Sequence, residues 1–534
     1  MNERPDCTRR PLCIAIVWEP SQADHLAEAR KPDTIVFPIS QKSYAAARNH
    51  GLNLTSIPFW RALDRLNLDE LDARADAELA QALDRGDPRA HFDRPAIWHS
   101  AREAGYLAYA TRTAIEIFKP DFIGIDGNTS TTNVSAISEA CASAGVELVR
   151  HPYAQPSALA NSSTPAPLTA EKRQAPFRPT SDWILLIAIA VSDLGWVLSE
   201  LVRERRSIVM LVDERYSGDS QAVSALAQRL GGITILRVQD EVSNSYSELD
   251  DNSKYAHEFR VLLQRLCQNA PSEIVLSDLC RTETAEALKF ARKSGISTRM
   301  LAHGGAPMVG PYRFTQSERD GVKVLVWTAS AARNYGGTSV ISSPRRLRPG
   351  LLKRWARLGL RALSLRPGSI RIGVVVTTDS LFSAPECALA PLFESFRRLV
   401  EGAAQIGATF KVRLRRLEDH PDIWSDFVPL GAPVEFEHSD GRPFVAFARD
   451  CDLLVELGSE STAFLEAAAN GVPYVRVGAP RSARLRFNRD ANLVPRLEAL
   501  DPWRTLRDLA ISPLRRTILA LHQFRWVQQE TKSN

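Results

Sequence analysis

Residues 452–478 read DLLVELGSESTAFLEAAANGVPYVRVG. Leu453–Leu457 is a short apolar run that enters a Gly458-Ser459 turn. A helical stretch follows, opened by Ser461 and Thr462 and closed by Gly471, which has the place of a left-handed C′ residue. Pro473 then starts a second apolar run. Strand, turn, helix and strand within 27 residues make a βαβ unit, because parallel strands need a crossover between them. A helix start carries unpaired N–H groups and partial positive charge, so it holds a phosphate well, and hydroxyls there add donors. Glu466 lies one turn beyond Thr462, where a carboxylate can accept hydrogen bonds from a ribose diol. The same residues also suit an ordinary capped helix, with Ser459 or Ser461 as N-cap and Glu466 in solvent.

Outward from this unit the alternation of short apolar runs and longer helical patterns continues. Upstream in the same block, Ile370–Thr377, Phe410–Leu417 and Val434–His438 read as strands, and Pro385–Gly402 and Pro443–Asp450 as helices. Asp450-Cys451-Asp452 matches D-x-D but precedes a strand, so it reads as a helix end and not a metal site. A second block holds candidate strands Ile184–Ser192, Ser207–Asp213, Gly232–Val238 and Glu273–Asp278, with helices Asp193–Glu204 and His257–Asn269. A first block holds strands Cys13–Glu19, Thr34–Ile39, Asp121–Asp126 and Val146–His151 and an amphipathic stretch Ser100–Phe118. Residues 155–181, rich in Pro, Ser, Ala and Thr without a period, form a linker. The first two blocks share a pattern: a strand ending in Asp126 or Asp278, a Thr-containing helix start, a helix ending at Gly145 or Gly295, and a strand leading to His151 or His303. Any two βαβ units share some of this, so a degenerate repeat and a common architecture both account for it. The expected fold is α/β, with Rossmann-like blocks.

The chain has 534 residues, 44% apolar and 24% charged, which suits several packed domains and excludes wholesale disorder. Its seven cysteines form no C-x-x-C pair, so neither a zinc ribbon nor a disulfide framework is indicated, and a reducing cytoplasm is expected. No signal peptide is read at the N-terminus, and the most apolar stretch, Trp183–Val191, is too short to span a bilayer. Between Gly321 and Thr378 there are 11 Lys/Arg and no Asp/Glu, so the rest of the chain carries −6 of the net +5. No nucleic-acid reader motif accompanies this charge, and no nucleic-acid partner is expected. Walker, G-x-G-x-x-G, H-E-x-x-H and G-x-S-x-G motifs are all absent from the sequence.

The run S-T-x-x-x-E-A-x-x-x-G-x-P at 461–473 resembles the donor-site element of GT-B fold glycosyltransferases and related sugar-nucleotide enzymes. The resemblance implies a GT-B-like architecture: two facing Rossmann-like domains, here with an additional N-terminal Rossmann-like module. It implies that Gly458, Ser459, Ser461 and Thr462 hold the phosphates and Glu466 the ribose, with Arg415 beside them. Asp419-His420-Pro421 resembles the HP element of bacterial capsule and sialic-acid transferases, whose His faces the donor phosphate or leaving group. Here Glu418 and Asp419 stand where that element carries basic residues, and a His-Pro turn is the other reading. LAHGGAPMVGPYRF at 301–314 resembles the HG loop of capsule-assembly transferases. His303 would then lie at a strand end, and Gly304 and Gly305 would admit an acceptor closely; a Gly-rich turn is the alternative. Asp126-Gly127 is similar to the acidic-Gly element of sialyltransferases, and Asp278 has the corresponding strand end in the second block. The catalytic candidates are therefore His303, His420, Asp278 and Asp126.

Residues 350–365, GLLKRWARLGLRALSL, separate Lys353, Arg354, Arg357 and Arg361 from Leu351, Trp355, Leu358, Ala362 and Leu365 on a helical wheel. This suits a helix lying in an anionic membrane surface with Trp355 inserted, and equally a packed linker helix with a solvated basic face. The expected division is an N-terminal module 1–154, linker 155–181, acceptor-side domain 182–343, basic linker 344–367, donor domain 368–500 and helical tail 501–534. The expected activity is transfer of a sugar from a CMP-, UDP- or GDP-linked donor to a surface-glycan, lipid-linked or protein acceptor, with no metal and no bound cofactor. Its place is the cytoplasm or the inner face of the cytoplasmic membrane. A sugar-nucleotide epimerase of the same fold and a non-catalytic binding module are the alternatives.

Overall fold

The computed structural model describes residues 12–29, 34–63, 65–85, 94–127, 129–151, 182–188, 201, 206–212, 228, 233–238, 252–276, 282–301, 320–335, 339–342, 347, 370–377, 389–414, 420–438, 442–458, 462–477, 494–497 and 501–531. Three separate parallel sheets follow one another along the chain.

The first sheet holds β1 (Cys13–Val17), β2 (Thr34–Pro38), β3 (Phe122–Asp126) and β4 (Glu147–His151), in the order β2-β1-β3-β4. Around it lie α1 (Pro20–Glu28), α2 (Gln41–Asn49), α3 (Phe59–Ala62), α4 (Leu68–Asp84), α5 (Arg94–Phe118) and α6 (Thr131–Ala144). The second sheet holds β5 (Trp183–Ala188), β6 (Ser207–Val212), β7 (Ile233–Arg237), β8 (Glu273–Leu276), β9 (Ser297–Leu301), β10 (Val322–Val326) and β11 (Ser339–Ile341). Their order is β11-β10-β9-β8-β5-β6-β7, with α7 (Asn252–Leu266), α8 (Thr282–Ser294) and α9 (Ala329–Tyr335). The third sheet holds β12 (Arg371–Thr377), β13 (Thr409–Leu414), β14 (Val434–His438), β15 (Leu453–Gly458), β16 (Tyr474–Val477) and β17 (Arg496–Leu497), in the order β14-β13-β12-β15-β16-β17. Its helices are α10 (Leu389–Ala404), α11 (Pro421–Ser425), α12 (Phe444–Asp450) and α13 (Ala463–Ala469), followed by α14 (Pro502–Ile511) and α15 (Pro513–Glu530).

The second and third sheets both begin in the middle, run outward to one edge, and return to fill the other: the doubly wound Rossmann order. Continuous apolar strands such as WILLIA and SIVMLV are what a sheet covered on both faces requires. In the third sheet the two faces separate cleanly. Val374, Val376, Val412, Val455 and Leu457 join one apolar cluster, while Val375, Leu454 and Tyr474 join another.

Element boundaries differ from expectation in instructive places. The helix expected from Ser100 begins at Arg94, so it runs 25 residues. Trp98 lies within that added turn, its indole N–H bonded to Asp76 of α4 at 2.9 Å, a tertiary partner that local pattern does not reveal. Phe410–Leu417 is seen as a strand only to Leu414, and Ile184–Ser192 only to Ala188; the residues beyond lie outside the described ones. The linker 155–181 and the basic helix 350–365 lie outside them too. Asp450 does end a helix, and the Asp452 carboxylate accepts the backbone N–H of Arg371 at 2.9 Å. Among the described residues no helix is long and apolar enough to cross a membrane.

The third block is packed against both others. On the α10–α11 side, Trp60 of α3 meets Phe393 at 5.7 Å and Phe427 at 6.0 Å, and Phe393 stacks on Phe427 at 4.4 Å. Arg48 of α2 pairs with Asp426 at 2.9 Å across the same boundary. On the α13–α15 side, Ile208, Met210 and Val275 of the second sheet share an apolar cluster with Phe464 and Leu465. There the Ser330 hydroxyl donates to Glu530 of α15 at 2.7 Å, so the C-terminal helix ties the third block to the second.

Candidate functional site

In the third sheet the chain leaves β12 toward β13 on one side and β15 toward β16 on the other. Between the carboxyl ends of β12 and β15 the crossovers part, and an open α/β sheet has its ligand crevice at such a point. The register pairs Thr377 with Gly458, so both strands end level at this crevice. Gly458 takes φ of 106°, a conformation L side chains avoid, which is why glycine stands at the strand exit. Residues 459–461, with Ser459 and Ser461, lie outside the described residues. Thr462 opens α13 with a helical backbone, and its side chain makes no cap hydrogen bond. The Thr462 carbonyl accepts the N–H of Leu465 at 3.0 Å. Glu466 lies one turn further and is buried, not in solvent.

A buried cation lies on a neighbouring strand of the same sheet. Arg413 of β13 is also buried and feels the Glu466 charge. Its guanidinium donates to Glu437 at 2.8 Å and to the Arg442 carbonyl at 2.7 Å, and lies over the rings of Phe444 and Phe447 at 5.8 and 5.5 Å. Desolvation lowers the Arg413 pKa, opposed by Glu437 and Glu466. An arginine still stays protonated, so β13 carries a buried cation held by Glu437 and the Arg442 carbonyl. Arg442 also binds Glu437, at 2.8 Å, and pairs with Asp450, holding the Asp450 carboxyl below its usual range.

Arg413 was not among the residues expected at the site; Arg415, which was, lies outside the described ones. The signal was present in the strand itself. In TFKVRL, Phe410, Val412 and Leu414 face one way, so Lys411 and Arg413 are charges on the other face of a central strand. The register sets them opposite Glu435 and Glu437.

His420 is the N-cap of α11, with Pro421 in the first helical position. Its backbone N–H donates to the side-chain oxygen of Gln41, the first residue of α2, at 3.2 Å, and its ring nitrogen Nδ1 stands 3.6 Å from Asp422. Across a block boundary His420 thus meets the first block, through the start of α2. Its expected counterpart His303 lies outside the described residues, as do Gly304, Gly305 and Asp278. So do Lys353, Arg354, Trp355, Arg357 and Arg361.

Asp126 ends β3, beside β1, which is the switch point of the first sheet. Its carboxylate pairs with His25 of α1 at 2.8 Å and its carbonyl accepts the Thr129 hydroxyl at 2.7 Å. Asp278 follows β8 beside β5, so β3, β8 and β15 hold equivalent places in their three sheets.

Burial pushes the Cys141 thiol up to about 11 and that of Cys267 up to about 12. Both should resist alkylation at about pH 8 in the native protein and react only on unfolding, as mass spectrometry of iodoacetamide adducts will show; rapid native labelling would contradict the packing. Among the described residues no group of three or more His, Cys, Asp or Glu is placed to hold a metal ion.

No protein-family profile and no curated protein matches the chain. Solved structures similar to it include a Staphylococcus aureus MnaA–UDP co-structure, at 10% identity and TM-score 0.43, covering 65% of this chain and 91% of that one. Phytolacca americana apo UGT2 is similar at 14% identity and TM-score 0.46, covering 66% and 96%. A UDP-GlcNAc 2-epimerase from Neisseria meningitidis bound to UDP-GlcNAc is similar at 10% and 0.45, covering 65% and 97%. On its own strand orders, and not on these distant likenesses, the chain is an α/β protein of three parallel sheets, two in Rossmann order.

Proposed function

We propose that the protein is a glycosyltransferase that takes a sugar from a nucleotide-sugar donor and passes it to a surface-glycan, lipid-linked or protein acceptor. One observation carries the reading: Gly458, Thr462 and Glu466 stand on the strand–turn–helix unit at the switch point of a Rossmann-ordered sheet. There the start of α13 meets the donor phosphates, with Ser459, Ser461 and Thr462 as further donors, and Glu466 takes the ribose diol. Arg413 on β13 adds buried positive charge to the same sheet. Transfer then needs no metal for the leaving group, and His420 or His303 supplies the proton. The segment 344–367 places the enzyme on the inner face of a membrane where such acceptors are carried.

The test is calorimetric titration of CMP, UDP and GDP, followed by Ser461→Ala/Thr462→Ala. The variant should lose about 1–3 kcal/mol of nucleotide affinity through missing charge-assisted hydrogen bonds. Equal affinity in variant and wild type would remove the assignment. Conversion of a nucleotide sugar with no acceptor present would mark an epimerase instead.

A further inference from the structure

The corner where α14 meets α15 has no part in the sugar-transfer site. Ile511, Leu514 and Ile518 are 56%, 69% and 58% exposed there, three of the seven large hydrophobic residues exposed among the described ones. Leu514 and Ile518 are four residues apart on α15 and so stack on one face. That face cannot turn inward. Gln523, fully buried on the opposite side of α15, accepts the Tyr474 backbone N–H at 2.9 Å and donates to the Tyr474 carbonyl at 2.7 Å. Ala520, Phe524 and Val527 are buried with it. The rotational setting of α15 is thus locked by β16, and the aliphatics are held outward.

The faces that carry these aliphatics are otherwise basic. Arg525 continues the Leu514–Ile518 stripe, and Arg504 and Arg507 share a face of α14 with Ile511; all three arginines are exposed. The two exposed acids of α14's cap and body are engaged: Asp501 caps α14 by accepting the Arg504 N–H, and Asp508 pairs with Arg515. The result is an aliphatic corner whose two helix faces continue, four to seven residues along, into exposed arginines. A two-fold dimer through this corner would set arginines against arginines. An anionic lipid surface accepts both features, the aliphatics at the headgroup–acyl boundary and the arginines among lipid phosphates.

We propose that the α14–α15 corner docks the protein onto an anionic membrane surface, distinct from any contact made by residues 350–365. The test is co-sedimentation of the full chain with vesicles of phosphatidylcholine containing about 30% phosphatidylglycerol. Binding should be strong at about 50 mM salt and fall at least about tenfold at about 500 mM. Leu514→Glu/Ile518→Glu should lower partition at least about tenfold, while circular dichroism and nucleotide affinity stay at wild-type values. Arg504→Glu/Arg507→Glu/Arg525→Glu should lower the salt-sensitive part. Three results overturn the proposal: unchanged partition of Leu514→Glu/Ile518→Glu; loss of binding only in Arg354→Glu/Arg357→Glu/Arg361→Glu, which assigns attachment to residues 350–365; or a wild-type dimer that Leu514→Glu/Ile518→Glu makes monomeric. Nucleotide titration is independent of all three, so failure here is distinguishable from failure of the donor-site reading.

Discussion

Trp60→Ala should destabilise the protein by about 3–5 kcal/mol, the range for removing a buried large aromatic. Trp60 is 8% exposed and its ring meets Tyr44 at 5.0 Å and Phe59 at 5.1 Å within the first block. In the third block it meets Phe393 and Phe427, which also pack on each other. Edge-to-face pairs of this kind add to the burial gain, and alanine leaves a cavity that rings from two blocks cannot close without moving both. The loss should therefore be concentrated at the boundary. Urea unfolding followed by circular dichroism should show a lower midpoint, and hydrogen exchange should speed up in α2, α3 and the start of α10 before β15 and β16 respond. A change below about 1 kcal/mol with exchange unaltered would mean that the two blocks do not support each other.

Glu456→Ala should cost about 3–5 kcal/mol for a different reason. Glu456, in the middle of β15, is fully buried, and the register sets it opposite Arg476 of β16. Arg476 donates from Nε at 2.8 Å and from Nη2 at 2.7 Å to the same carboxylate oxygen. Removing the carboxylate leaves a guanidinium charge nearly out of water with its main counterion gone, and that desolvation is the cost. Replacing both residues, as in Glu456→Leu/Arg476→Met, removes the stranded charge and should be far less harmful than either single change. A double-mutant cycle by urea denaturation measures this, with a coupling of at least about 2 kcal/mol expected; additive effects would contradict a mutually dependent pair. The pair stands on the face of the third sheet that meets α13, so Glu456→Ala should also loosen the candidate nucleotide crevice.

Much of the architecture was legible in local pattern. Val434–His438 and Phe444–Asp450 lie where alternation and a following apolar run place them. Gly145, Gly295 and Gly471 were each expected to close a helix, and their φ values of 68°, 66° and 68° are the left-handed caps that glycine adopts at low cost. The place of Thr462 and Glu466 after a strand and a glycine turn was legible too, because the strand–turn–helix unit is written in contiguous residues. The burial of Glu466 was not, since it depends on elements packed around α13 that are distant in sequence.

By itself, then, the sequence determined three runs of parallel βαβ units, their helix ends and the glycine at the exit of β15, because each depends on residues within about two turns of one another. Tertiary structure alone decided the rest. The first block was read as an addition to a facing pair; in the folded chain it packs on the third block through Trp60, Phe393 and Phe427, residues more than 300 positions apart. It also brings Gln41 to His420, an approach that no local pattern encodes. The charges inside central strands follow the same rule. Arg413 opposite Glu437 and Glu456 opposite Arg476 are paired by strand register, and register is set by how whole apolar faces meet in the core.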